Sequence, residues 1–406
     1  MHVPDGFIDA PVSVATGAVA AGAVAVSLRG ARRELDERTA PLAGLVAAFI
    51  FAVQMLNFPV AAGTSGHLLG GALAAILVGP YTGVLCVSVV LLMQGVLFAD
   101  GGLTALGVNI TDMALVTTVV AYALFRAIVK LAPHRRRTVT VASFVAALIS
   151  VPAAAVAFTA IYALGGTADV AIGKVFAAMV GVHVLIGIGE AAITALTVGA
   201  VVAVRPDLVY GARGVTARPL EIRSSPLAPA TPGAVARAEG PAAEPAAATS
   251  GTPGTSGTSG TSGTPGTPGT PGTSGTPGTP GTPGTPETSE PAGAPEPAAA
   301  PRRSARRVWW AGLAAALLCA GVVSFYASAS PDGLEKVAHD KGIDQKEEDH
   351  AAKDSPLADY GVKDITDARL SGGLAGVIGV GATLAVGSGV FIVIRRRRAT
   401  AESERG

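Results

Sequence analysis

The sequence predicts an all-α polytopic membrane protein, a seven-helix bundle followed by a two-helix transmembrane hairpin, the two joined by a disordered linker. Three observations carry that prediction. Of 406 residues, 50% are hydrophobic and only 15% charged, with a mean hydropathy of +0.49, too little charge to cover a soluble globule. The apolar residues gather in nine runs near the length of about 20 residues that a spanning helix needs. The basic residues, 30 Lys and Arg against 29 Asp and Glu, are sorted between alternate loops. So even a net charge leaves no basic footprint for a nucleic-acid partner. Cys86 and Cys319 lie in apolar runs, which excludes a disulfide framework or a thiolate metal cluster.

In the first module, residues 1–204, the runs cover 12–28, 42–58, 65–79, 81–98, 108–131, 138–164 and 173–204. The third, with GHLLGGALAAILVG, is short and glycine-rich, and reads either as a span or as a re-entrant or deeply buried segment. The positive-inside rule tests the count. With the N-terminus outside, Arg29, Arg32, Arg33 and Arg38 fall inside, as do Lys130, Arg135, Arg136, Arg137 and Arg205. The loops assigned outside, 59–64, 99–107 and 165–172, contain no Arg or Lys. Removing the third run breaks this agreement for every later loop, so it is expected to traverse the membrane or to behave topologically as if it did. Small residues at four-residue spacing, such as Gly66 and Gly70, read as close helix packing.

Residues 205–307 are Ala, Pro, Gly, Ser and Thr with almost no apolar pattern, including twelve Gly-Thr-Pro or Gly-Thr-Ser triplets from Gly251 to Pro286. Such a segment buries no core. Thr in the second place of the triplet argues against a collagen helix and for a disordered cytoplasmic tether. A coil of that length spans about 50–60 Å root-mean-square, and so is expected to join two independently folded modules without fixing their relative position. The second module, residues 308–398, has runs at 308–329 and 373–394 around an outside loop, 330–372, rich in Asp, Glu and Lys. Arg302, Arg303, Arg306 and Arg307 before it and Arg395, Arg396, Arg397 and Arg398 after it fall inside, as does the tail 399–406.

Few polar residues interrupt the apolar runs of the first module: His67, Asn109, Asp112, His183 and Glu190, with Gln54, Asn57, Gln94 and Asp100 nearby. Ionisable groups at that depth are costly and face a cavity or a bundle interior. His183 and Glu190 lie two turns apart on one helix face, which suits an interhelical hydrogen-bond network as well as a pathway; Asn109 and Asp112 also share a face. The N-terminus, MHVPDGFID, lacks the basic start and unbroken apolar core of a signal peptide. A bulky His2 is expected to keep the initiator Met1 in place. The Met1 amine, the His2 amide nitrogen and the His2 ring then offer three coplanar nitrogens, and one more imidazole closes a square plane suited to Ni(II) or Cu(II), with Co(II) also accepted. His67 is the leading candidate for that imidazole.

The stretches MHVPDGF, GTSGHLLGG, LGVNITDMA and HVLIGIGEA, in that order, resemble the substrate-capture component of the energy-coupling-factor transporters for cobalt and nickel. The resemblance covers residues 1 to about 204. PDGLEKVA, from Pro331 to Ala338 between two apolar runs, looks like the small auxiliary component of the same systems, fused through the linker. What the resemblance implies is an S-component-like bundle, a metal held by Met1, His2 and His67, and supporting or pathway roles for Asn109, Asp112, His183 and Glu190. Asp112 stands where some relatives carry Asn. It also implies two ATPase subunits and a transmembrane coupling subunit as partners, beside the auxiliary module and membrane lipid.

The chain contains no GxxxxGK[ST] phosphate loop, so the energy of ATP-driven transport must come from other polypeptides. The expectation is a bacterial plasma-membrane transporter subunit, N-terminus outside and C-terminus cytoplasmic, that takes up Co2+ or Ni2+ as substrate and is no enzyme. The loop of the second module, with Pro331, Asp332, Gly333 and the acidic Glu347, Glu348 and Asp349, is expected to assist loading or insertion of the N-terminal tail. The rivals are a secondary carrier that needs no ATPase and a membrane scaffold or sensor that recruits partners or anionic lipid through its tether. Cobalt and nickel are not distinguished.

Overall fold

The computed structural model describes residues 1–36, 39–61, 63–132, 135–213 and 305–403. Arg38, the linker from 214 to 304 with its repeated triplets, and residues 404–406 lie outside the described residues. Among the described residues seven helices are long and apolar enough to cross a membrane: Ala10–Glu34, Pro80–Phe98, Leu106–Leu131, Arg136–Gly165, Ile172–Val204, Arg306–Tyr326 and Ala368–Arg397.

Helix α1 (Ala10–Glu34) starts where the Asp9 carboxylate accepts the Val12 N–H at 2.9 Å, with Pro in its first turn. Helix α2 (Thr39–Gln54) is shorter, and nearly all of it is buried. The next run, expected as a third span, is half extended. An antiparallel hairpin, β1 (Phe58–Ala61) with β2 (Thr64–Gly66), leads into non-helical residues 67–70 and then the eight-residue α3 (Gly71–Val78), every residue of which is buried. Eight residues rise about 12 Å, well short of a hydrocarbon core of about 30 Å, so the deeply buried alternative is the one that forms. Non-helical backbone at that depth is tolerated only because protein surrounds it. Gly70 (φ +88°) and Gly79 (φ +104°) turn the chain at the two ends of α3 in conformations that a side chain would strain.

Helix α4 (Pro80–Met93) continues as a π turn, Gln94–Phe98. The short α5 (Leu106–Asn109) passes through a second π segment, Ile110–Val116, into α6 (Thr117–Leu131), and α7 (Arg136–Gly165) and α8 (Ile172–Val204) pair along their length. Ordered structure carries on past residue 204 through two 3-10 turns, Pro206–Leu208 and Tyr210–Ala212. Their Leu208, Val209 and Ala212 are buried, and Gly211 lies against Phe125 and Ile76.

In the second module α9 (Ala305–Gly321) and α11 (Ala368–Ser403) form the hairpin, and α10 (Gly333–Lys341) sits in the loop between them. The two modules pack as one unit, which differs from the independent folding that the linker suggested. Both hairpin helices lie against α2. A Cβ on Gly44 would strike Ser388 at 2.2 Å, one on Gly379 would strike Phe51 at 2.2 Å, and one on Gly312 would strike Leu45 at 2.8 Å. Missing side chains on both partners thus create the close approach that holds helices together where lipid supplies no hydrophobic drive.

The loops free of Arg and Lys gather at one end of the bundle. There Gly102 N–H donates to Val3 O, Thr167 N–H to Phe7 O, Ser328 N–H to Asn57 O, Ser65 N–H to Pro331 O and Glu348 N–H to Asp5 O, all within 2.7–3.2 Å. At the other end Glu34 accepts the Thr82 N–H and hydroxyl at 2.7 and 2.8 Å, and Trp309 reaches Pro41 O. The sorting of charge in the sequence is therefore a sorting between the two ends of the molecule.

Candidate metal centre

The first nine residues are tucked into the end where the loops of the first module carry no Arg or Lys. Met1, Val3, Phe7 and Ile8 are buried. Val3 is clamped on both sides, its N–H donating to Asn109 Oδ1 at 2.8 Å and its carbonyl accepting from Asn109 Nδ2 at 3.1 Å. The turn Pro4-Asp5-Gly6 is fixed by the Asp5 carboxylate, which accepts the Thr104 N–H at 2.7 Å and the Thr104 hydroxyl at 2.5 Å. Gly6 (φ +86°) passes directly under the second module's loop, where a Cβ would strike the Lys346 carbonyl. Asp9 N–H donates to Gly165 O at 2.7 Å, which passes the tail on to α1.

That path carries the terminal amine to His67. Met1 N lies 2.5 Å from His67 Nε2 and 2.6 Å from Asp332 Oδ2, and His67 is only 5% exposed. His67 Nδ1 lies 3.0 Å from the Leu68 carbonyl. A carbonyl can only accept, so Nδ1 carries the proton and Nε2 presents its lone pair to the amine. The segment bearing His67 is held from below by Glu190, whose carboxylate accepts the Leu69 N–H at 2.7 Å and the Gly70 N–H at 3.2 Å. These donors precede α3 and have no intrahelical partner.

The His2 ring stacks on His67 with centroids 4.9 Å apart. Its nitrogens are engaged elsewhere, Nδ1 at 3.2 Å from Asp100 Oδ1 and Nε2 at 3.2 Å from Gln94 Oε1. Burial pushes the His2 imidazole down to about 4, against the opposing pull of Asp100, which favours a neutral ring with a single N–H for the two oxygens and one lone pair. Tyr360, from the second module, ties these holders together: its hydroxyl donates to Asp100 Oδ2 at 2.5 Å and accepts from Gln94 Nε2 at 2.9 Å. Burial, then the neighbouring Asp100 charge, hold the Tyr360 hydroxyl well above its usual range, so it remains a donor.

Asp332 caps α10. Its Oδ1 accepts the Glu335 N–H at 2.8 Å, the Glu335 carboxylate accepts the Asp332 N–H at 3.2 Å, and Oδ2 is left facing the amine. Burial works to raise the Asp332 carboxyl, but the terminal ammonium outweighs it and holds it well below the usual carboxylate range. His2, His67 and Asp332 each place one ligand-type atom within 4.8 Å of the others.

Of the residues singled out in the sequence, Met1, His2 and His67 meet, and Asn109 and Glu190 hold the two segments that bring them together. His183 and Asp112 do not join them. His183 Nδ1 bonds its own helix at Met179 O, 2.7 Å away, rather than a neighbouring helix. The His183 Nε2 and both carboxylate oxygens of buried Asp112 have no hydrogen-bond partner among the described residues. Of the acidic loop cluster, Glu347 and Glu348 line the cavity above the site, while Asp349 pairs with Lys353. Sequence reasoning missed Tyr360 as a site residue and gave Asp332 no direct contact; a helix-capping Asp in a Pro-Asp-Gly turn was the visible signal for the latter.

Residues 2–208 match the family described as cobalt uptake substrate-specific transmembrane region, and residues 306–396 match the PDGLE domain. A Haloquadratum walsbyi protein named for metal transport is 40% identical over 212 residues, 52% of this chain and 94% of that protein. The fused nickel transport protein of Rhodobacter capsulatus is 42% identical over 125 residues, 31% of this chain and 36% of that one. A crystal structure described as a truncated transition metal transporter, 27% identical, covers 50% of this chain and 99% of its own, with a TM-score of 0.44.

Proposed function

Because the chain belongs to the cobalt uptake substrate-specific transmembrane family, we propose that it captures a divalent cobalt or nickel ion with its own N-terminus and hands it to a transport complex. One observation carries this reading: the Met1 amine and the His67 lone pair converge to 2.5 Å in a buried site with the His2 ring stacked alongside. Nitrogen donors in that number suit late first-row divalent ions. For the ion to enter, the His2 ring turns from Asp100 and Gln94, the Met1 ammonium and the His2 amide each release a proton to water, and the amine nitrogen, the His2 amide and ring nitrogens and His67 Nε2 take the ion in place of its water.

The end bearing the first module's loops without Arg or Lys faces outside, in keeping with the positive-inside rule for a plasma-membrane protein. The ion thus arrives from the side where the second module roofs the tail. ATPase subunits and a coupling subunit supply the energy, since the chain has no phosphate loop of its own.

Equilibrium dialysis of the purified chain against Co2+ and Ni2+ tests the site. Extending the N-terminus by one residue, and separately H67A, should each abolish binding while the helical circular dichroism stays unchanged. Unchanged affinity in both would overturn the site. The ratio of the two metals bound from an equimolar mixture then assigns the substrate.

A further inference from the structure

We infer that Asp332, carried by the second module, is itself a ligand of the captured ion, so that the metal site is completed across the two modules. This rests on the site reading above and adds to it an oxygen donor from the other end of the sequence.

The argument begins with distances. Met1 N, His67 Nε2 and Asp332 Oδ2 form a triangle with sides of 2.5, 2.6 and 3.5 Å. Donors bound to one ion at about 2.0–2.1 Å lie about 2.9 Å apart when adjacent and about 4 Å apart when opposite. Each side lies within about 0.6 Å of the spacing of neighbouring ligands, a difference that side-chain rotation can supply as the carboxylate comes in.

The second observation is how Asp332 is held. Its Oδ1 is occupied in capping α10, and the Glu335 side chain returns the bond to the Asp332 amide, so the carboxylate is fixed in one rotamer with Oδ2 toward the amine. The turn before it is bound to the strand that leads to His67: Ser65 N–H donates to Pro331 O at 2.8 Å and the Ser65 hydroxyl to Ser330 O at 2.7 Å. Gly333 lets α10 settle onto α8, because a Cβ there would meet Ile186 at 2.8 Å and Val182 at 2.9 Å. A carboxylate used only to cap a surface helix needs none of this support. A metal ligand does.

Third, Asp332 stands between two cavities. The outer, about 1080 Å³, lies under the loop, and the inner, about 250 Å³, contains His67; Asp332 and His2 line both, whereas His67 lines the inner one alone. An ion moving inward passes Asp332 before it reaches His67. The carboxylate faces a cation in both states, the ammonium before loading and the metal after it. Its partly buried charge is therefore balanced throughout.

Ni2+ provides the readout. In a plane of four nitrogens its electrons are paired and the complex is diamagnetic; a carboxylate added along the axis gives a five-coordinate ion with unpaired electrons. The Ni2+-loaded full chain should therefore be paramagnetic by magnetic susceptibility. In D332S, which keeps a capping oxygen too short to reach the ion, it should become diamagnetic, and the Kd should rise about 10- to 100-fold. D332N keeps both cap and shape, and should also weaken binding. A diamagnetic wild type, or an unchanged Kd and magnetic state in D332S, overturns Asp332 as a ligand. Tighter binding in D332S overturns it too, making the carboxylate a competitor for the amine. If H67A and the N-terminal extension still bind metal, it is the site reading that fails, whatever D332S does.

Discussion

At the scale of single residues the site depends on groups that place the tail rather than on the ligands alone. Asn109 shows this most directly: it is the only side chain bonded to both polar groups of the Val3 backbone among the described residues, and Val3 is fully buried. An alanine at position 109 leaves one buried donor and weakens the acceptor, at a cost of about 2 kcal/mol. We expect N109A to raise the Kd for metal roughly 30-fold and to speed hydrogen exchange at the Val3 amide. Unaltered exchange would show that the tail is held elsewhere. The sequence made Asn109 visible as a polar residue in an apolar run, but its partner is a backbone more than a hundred residues earlier, and no residue type signals a backbone partner.

At the scale of elements, the broken third run and the loop helix α10 are the two pieces that make the site. The non-helical backbone from 67 to 70 aims His67 at the amine, and Glu190 satisfies the N–H groups that this backbone leaves open. A continuous helix there would have buried His67 in side-chain packing with no free nitrogen directed at the tail. Helix α10 is placed by Gly333, so G333V should push it off α8 and draw Asp332 from the amine. We expect G333V to raise the Kd as D332S does and the double variant to be no worse than either alone, since both remove one interaction. Additive losses would mean that the two act separately. The long helices and the hairpin were legible from hydropathy, whereas Gly66 and Gly70, whose spacing read as helix packing, lie in a strand and in a left-handed turn. The shortness of α3 was not, because a run of apolar residues looks alike whether lipid or protein surrounds it.

At the scale of the molecule, the docked hairpin changes what the linker has to do. The sequence suggested a tether that leaves two modules free, whereas α9 and α11 pack along α2 and the loop between them roofs the tail. The contact faces therefore set the relative position of the modules. Deleting residues 251–286 should leave the Kd for Co2+ and Ni2+ within about twofold of wild type, measured by the same dialysis. A loss of binding would give the triplets a role in placing the second module.

By itself the sequence determined the membrane class, the absence of Arg and Lys from the outer loops of the first module and the two-module order, and it marked Met1, His2 and His67 as candidate donors. These follow from composition, from the length that a bilayer imposes and from intrinsic donor chemistry, all of them properties of single residues or short segments. Only the tertiary structure decided that His67 meets the amine through a half-extended run, that Tyr360 bonds the groups holding His2, and that Asp332 reaches the amine from the far end of the chain. Those are contacts across 66 to 331 positions. Packing fixes such contacts through the shape of many residues at once, and local pattern carries no record of it.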